Sequence, residues 1–165
     1  MKLNLGCAKD IQKGWTNVDL HYKHPDVINE DISSLSFVSE NSVDEIIAKD
    51  ILEHLPFSKG LECLEIWYQW LKPKGKLFLQ TTNWDKFKDS CPNGGWDLKT
   101  LNYMLFAGPS WINQEPNDCD WHKSIYSATF LKEFASKIGY EMISLKEDVV
   151  LDGGNLNLKM SLLKP

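Results

Sequence analysis

The sequence predicts an α/β domain: a three-layer open sheet, mostly parallel, with an antiparallel strand at its C-terminal end. Three observations carry that expectation. Short apolar runs near 2–5, 15–19, 42–48 and 75–82 alternate with polar connections and one clear helical stretch, the order that builds parallel sheets. The run Ser42–Ala48 is almost continuously apolar at its end, as in a strand covered on both faces. Near the C-terminus, Leu156, Leu158, Met160 and Leu162 alternate strictly with Asn157, Lys159 and Ser161, after a turn at Asp152-Gly153-Gly154-Asn155. Such a strand buries one face, wets the other and closes a hairpin. The 165 residues make one domain, 1–165, too short for separate cofactor and substrate domains.

The elements follow in order. Residues 2–5 read as a buried strand whose exit loop runs from Gly6 to Gly14. A parallel crossover commonly takes a dozen or more residues and a helix, but Lys9–Lys13 allows about one helical turn. A stripped first crossover is therefore expected, leaving one face thinly covered. Trp15–Asp19 is the next strand, and Asp26–Asn29 a short third. Residues 58–71 are the clearest helix: Leu61, Leu64, Tyr68 and Leu71 share a face widened by Cys63, Trp67 and Trp70, with Pro73 and Gly75 beyond its end. A strand follows at Gly75–Thr82. Residues 83–123 form a Trp-rich lid or insertion holding Trp84, Trp96, Trp111 and Trp121, with one helix expected at Leu98–Phe106. Ser127 caps a helix with Phe130, Leu131, Phe134 and Ile138 on its apolar face, Gly139 stops it, and Tyr140–Leu145 is a strand.

Composition narrows the function. Hydrophobic residues make up 42% and charged ones 25%, ordinary for a globular protein. No apolar run is long enough for a membrane span and no signal-peptide core is evident, so a cytoplasmic location is expected. Cys7, Cys63, Cys91 and Cys119 show no paired spacing, which suits reduced thiols. The net charge is −5 and all 18 basic residues are lysine. Without arginine's bidentate fork, an acidic chain is a poor nucleic-acid binder.

The small-residue turn Gly6-Cys7-Ala8 after one strand, with Asp19 closing the next, is the pattern by which open α/β sheets build nucleotide pockets. The turn lets backbone approach the ligand, and the carboxylate accepts hydrogen bonds from ribose hydroxyls. The three-glycine dinucleotide fingerprint and its crossover helix are missing, which disfavours an NAD-dependent oxidoreductase.

Leu3-Asn4-Leu5-Gly6-Cys7-Ala8 with Gly14–Asp19, Asp31-Ile32, Asn41–Ile46, Leu52-Glu53-His54-Leu55 and Leu71–Leu77 together resembles the small class I S-adenosylmethionine (SAM)-dependent methyltransferases. His122, Tyr126-Ser127, Phe130-Leu131 and Ile138–Tyr140 continue the match, which runs from residue 3 to about 145. The likeness is to a small type 11-like subgroup associated with glycans and small molecules. It implies a Rossmann-like sheet, SAM as cofactor, and O- or N-methylation of a small molecule or sugar; a non-catalytic SAM- or nucleotide-binding module of the same fold is the alternative. By the resemblance, Gly6, Cys7 and Ala8 lie against the methionine of SAM, and Asp19 binds the ribose. Asp31 meets the adenine amine with Ile32 as its apolar neighbour, and Ala48 to Asp50 line the methionine side. The family usually has glycine where this chain has Ala8, and at a positive φ alanine is disfavoured by roughly 1–2 kcal/mol.

Methyl transfer is an in-line displacement driven mainly by positioning and exclusion of water, with a general base for a hydroxyl acceptor. His122, leaving the Trp-rich segment just before the last helix, is the candidate catalytic base. His54 and Glu53 read as anchors. Cys119-Asp120-Trp121-His122 lacks a second ligand pair, so no metal is expected. The tryptophans could stack on an acceptor, fill the lid or mediate a homodimer.

Overall fold

In the computed structural model residues 1–89, 121–148 and 157–165 are described. Trp96, Trp111, Cys91, Cys119, the helix expected at Leu98–Phe106 and the turn at Asp152–Asn155 lie outside them. The elements are β1 (Lys2–Leu5), β2 (Thr16–Val18), β3 (Val27–Ile28), β4 (Val43–Lys49), a 3-10 turn at Leu52–His54, and α1 (Phe57–Trp70). Then come β5 (Leu71–Thr82), α2 (Trp84–Asp89), α3 (Ala128–Ile138), β6 (Glu141–Asp148) and β7 (Asn157–Leu163). The seven strands form one sheet in the order β3-β2-β1-β4-β5-β7-β6. β1 to β5 pair in parallel, while β7 is antiparallel to both β5 and β6. This is the mixed, Rossmann-like α/β sheet expected, with its reversed strand in place.

One face of the sheet carries the core. Register aligns Leu3 with Ile46, Leu5 with Ala48, Ile46 with Leu77, Ala48 with Leu79, Leu77 with Leu162 and Leu79 with Met160. All are buried, and the side-chain period of two puts them on the same side. Cys63, Leu64, Trp67 and Trp70 of α1 and Leu131 and Ala135 of α3 pack into that cluster. Fully burying a side chain of the leucine class contributes about 1.5–3 kcal/mol, so this face supplies most of the fold's apolar stabilisation. Leu71, expected on the helix, instead opens β5: α1 ends at Trp70, and Leu71 pairs with Val43 before a bulge at Lys72–Gly75. Lys74 holds φ +67 inside that bulge. α3 follows expectation closely, with Ser127 Oγ accepting from Phe130 N at 3.1 Å and Gly139 left-handed at φ +117.

The opposite face of β1 and β2 is covered by the exit loop rather than a helix. No helix lies between Leu5 and Thr16, as the short spacing implies. What holds the loop was not legible as such: Asn4 and Asn17 are direct partners in the ladder and almost fully buried. Asn4 Nδ2 donates to Asp10 O at 2.6 Å and to Asn17 Oδ1 at 2.9 Å. Asn17 Oδ1 also accepts from Gln12 N at 2.8 Å, and its Nδ2 donates to Gln12 O and Trp15 O at 3.1 and 3.3 Å. Two side-chain amides thus satisfy backbone that a crossover helix would satisfy by itself. Lys49 pairs with Asp10 at 3.0 Å on the outside. Among the described residues no helix is long and apolar enough to cross a membrane.

Candidate functional site

Strand order reverses between β1 and β4: from β1 the chain steps outward through β2 and β3, then returns to the other side as β4 and β5. Crevices outside the carboxyl ends of strands at such a switch point are where open α/β sheets take ligands. A cavity of about 650 Å³ lies there, walled by residues that follow β1, β2, β3 and β4. Its size is that of a site for a small organic molecule.

The β1 exit forms one wall. Gly6 has φ +62, and a Cβ on it would stand 2.6 Å from Ile51 Cγ1, so both backbone and space demand glycine. Ala8 is also left-handed, at φ +41, the strained case for alanine. Its N–H donates to Asp19 Oδ2 at 2.9 Å, which ties the loop to the end of β2. Gly6 and Ala8 line the cavity. Cys7 does not: it is buried behind the loop, where burial and then the Asp19 charge push its thiol up to about 11. It is neutral and unreactive there.

Asp19 stands at the end of β2 on the cavity wall. Its Oδ1 accepts from His21 N and Tyr22 N at 2.9 and 2.8 Å, so only Oδ2, already shared with Ala8, has a lone pair toward a ligand. Asp31 and Ile32 line the next part of the wall. Ser33 donates through Oγ and N to Asp31 Oδ1 at 2.6 and 2.8 Å, and these bonds hold the Asp31 carboxyl below its ordinary range. Fully buried Trp67 donates from Nε1 to Ile32 O at 3.0 Å, so the main helix positions this loop directly.

β4 delivers Asp50 to the cavity, while Ala48 faces the core and is fully buried. Asp50 has φ +49 and accepts from Gln80 Nε2 at 2.8 Å. The residue presents open surface, yet its carboxyl is set among protein, and that burial with the neighbouring Glu53 charge pushes its pKa up.

The 3-10 turn after β4 is a hub. Glu53 is 2% exposed. Thr81 Oγ1 donates to its Oε2 at 2.8 Å, while Thr82 N and Oγ1 donate to its Oε1 at 3.2 Å. Its own carbonyl accepts from Lys123 N and Ser124 N, and Ser124 Oγ donates to Leu52 O at 3.1 Å. Segment 121–124 is thereby fastened beside the cavity, and Lys123 joins the wall. His54 also lines it, with Nδ1 3.2 Å from Trp121 O. His122 is not a lining residue and packs edge-on to His54, with ring centroids 5.0 Å apart. Burial, then the His54 charge, lowers its pKa to about 4 against a weaker pull from Asp50, so the ring is neutral at physiological pH.

Of the residues expected from sequence, Gly6, Ala8, Asp19, Asp31, Ile32 and Asp50 share one cavity wall; Cys7 and Ala48 are buried behind it, and half-buried His122 is not on it but packs against His54. Leu20, Ile51 and Lys123 were not expected there. The first two were findable, since each directly follows a strand-ending acid. Lys123 was not, because only the tertiary bond to Glu53 brings it in. No group of metal-ligating side chains occurs among the described residues.

No protein-family model matches the chain, and no curated protein matches its sequence. Solved structures do match its fold. A SAM-dependent methyltransferase from Methanosarcina mazei superposes with TM-score 0.70 at 15% identity, over 99% of this chain and 91% of that one. One from Mesorhizobium loti gives TM-score 0.64 at 15% identity, over 98% and 89%. The 1,6-didemethyltoxoflavin-N1-methyltransferase of Burkholderia thailandensis, solved with its acceptor and S-adenosylhomocysteine, gives 0.64 at 13% identity, over 99% and 70%. Over nearly its whole length, the chain has the fold in which these methyltransferases are built.

Proposed function

We propose that the protein is a SAM-dependent methyltransferase acting on oxygen or nitrogen of a small molecule or sugar. The observation that carries this reading is the cavity at the β1/β4 switch point, where Gly6, Ala8, Asp19, Asp31, Ile32 and Asp50 meet. The residues present suit the cofactor: Gly6 has no room for a side chain, and Asp50, Asp19 and Asp31 follow β4, β2 and β3, in sheet order on one wall. Bound there, SAM supplies a sulfonium methyl open to in-line displacement. Gly6, Ala8 and Asp50 would hold its methionine part, Asp19 Oδ2 would accept from the ribose, and Asp31 would accept from the adenine amine beside Ile32. Cys7 and Ala48 support this wall from behind, and His122 serves the acceptor side with His54. The Burkholderia neighbour, a methyltransferase of a small heterocycle, supports a small-molecule acceptor. The all-lysine basic set argues against nucleic acid.

A second reading, a SAM- or nucleotide-binding module without turnover, draws on the left-handed Ala8, at φ +41, and the helix-free first crossover. Calorimetric titration with SAM, S-adenosylhomocysteine and NAD tests both. Micromolar binding of the first two and none of NAD is expected. Binding of SAM with no S-adenosylhomocysteine formed over a panel of hydroxyl and amine acceptors favours the module, and no binding of any ligand sinks the SAM assignment.

A further inference from the structure

We infer that His54, through its Nε2, is the proton-accepting group of this cavity. Its Nδ1 lies 3.2 Å from Trp121 O. A carbonyl can only accept, so in the neutral ring the hydrogen sits on Nδ1 and Nε2 carries the lone pair. Among the described residues Nε2 has no hydrogen-bond partner; it is not one of the enclosed unsatisfied atoms, and His54 belongs to the cavity wall. The ring is held on both sides. Its turn is fixed through Glu53 to Thr81 and Thr82, and segment 121–124 is fixed to the same turn by Lys123 N, Ser124 N and Ser124 Oγ. A backbone carbonyl that sets the tautomer while the other nitrogen of a cavity-lining ring keeps its lone pair free is the arrangement of an oriented general base.

His122 packs edge-on against this ring, with centroids 5.0 Å apart. The ionisable groups around His54 are Asp50 and Glu53 from its own connection, and His122 and Lys123 from the facing segment. The inference rests on the methyl-transfer reading of the cavity. In that reaction the acceptor O–C or N–C bond forms and the C–S bond of SAM breaks with its electron pair going to sulfur. The acceptor proton passes to His54 Nε2 and then to water.

Two measurements on the ligand-free protein test it. Long-range proton–nitrogen correlation at pH 7 is expected to show the His54 hydrogen on Nδ1. Diethyl pyrocarbonate acylates an unprotonated imidazole nitrogen, and mapping by mass spectrometry is expected to show His54 modified roughly ten-fold faster than His122. His54→Gln, whose amide can still donate to Trp121 O, identifies the modified peptide by its loss. A hydrogen on Nε2, or His122 reacting first, overturns the inference. Binding of S-adenosylhomocysteine with an unreactive His54 removes the inference alone. A reactive His54 with no binding removes the methyl-transfer reading and, with it, the assigned step.

Discussion

At the scale of single residues, the β1 exit loop is held in two left-handed positions of opposite character. Gly6 suits φ +62 and leaves room for Ile51; Gly6→Ala adds the left-handed cost and a 2.6 Å contact. A loss of about 2–4 kcal/mol is expected, read as a fall in the urea midpoint. Ala8 holds φ +41 with a side chain that disfavours it. Ala8→Gly should relieve roughly 1–2 kcal/mol of strain against about 0.4–1 kcal/mol of added unfolded-state freedom, a small net gain in the same assay. If Ala8→Gly destabilises the protein, the loop does not carry the strain assigned to it. Asp19 shows why one residue's role resists sequence reading. Its position at a strand end is visible in the chain, but the three backbone N–H groups that converge on it are brought there by folding.

At the scale of elements, the first crossover and α1 each reach the site by a polar contact. The Asn4–Asn17 pair does for the exit loop what helical hydrogen bonds would do, so Asn17→Ala leaves the backbone of Gln12 and Trp15 and the amide of Asn4 short of partners. At about 0.5–1 kcal/mol for each of the four lost bonds, a destabilisation of roughly 2–4 kcal/mol is expected by thermal or chemical unfolding. An unchanged midpoint would mean the loop is held by other contacts. Trp67→Phe keeps the apolar core and removes the bond to Ile32 O. It should weaken S-adenosylhomocysteine binding in calorimetry more than it lowers the unfolding midpoint. Sequence periodicity put Trp67 on the buried face; only the packed structure shows its indole N–H turned toward the Asp31-Ile32 loop.

At the scale of the whole molecule, a pH dependence follows from His122. Its folded pKa lies near 4, below the ordinary 6.5, because burial and His54 oppose its charge. The unfolded chain therefore binds the extra proton first. This contribution to stability is present above about pH 6.5 and is lost as the pH falls toward 4. Asp50, raised by burial, acts in the opposite sense nearer its own range, and Asp31 is lowered. Between pH 6.5 and 4.5 the melting temperature of the wild type should fall more steeply than that of His122→Gln. Parallel curves would mean His122 is as solvated in the fold as in the unfolded chain.

Read alone, the sequence determined the ordered alternation of strands and helices, the reversed last strand, the capped last helix, the helix-free first crossover and the acids that end the strands. These are local properties: apolar periodicity, a capping serine and the length of a connection act within a few residues. Only the tertiary structure decided which acids share a wall, that Cys7 and Ala48 are buried behind it, and that His54 and Lys123 stand on it while His122 packs against His54. The physical reason is that the cavity is assembled from strand ends, Gly6 to Asp50, 44 residues apart in sequence and from Lys123, 73 further on. Their approach is set by sheet register and by the buried bonds of Asn17, Glu53 and Trp67. Periodicity shows that such side chains are buried, not which distant backbone they hold.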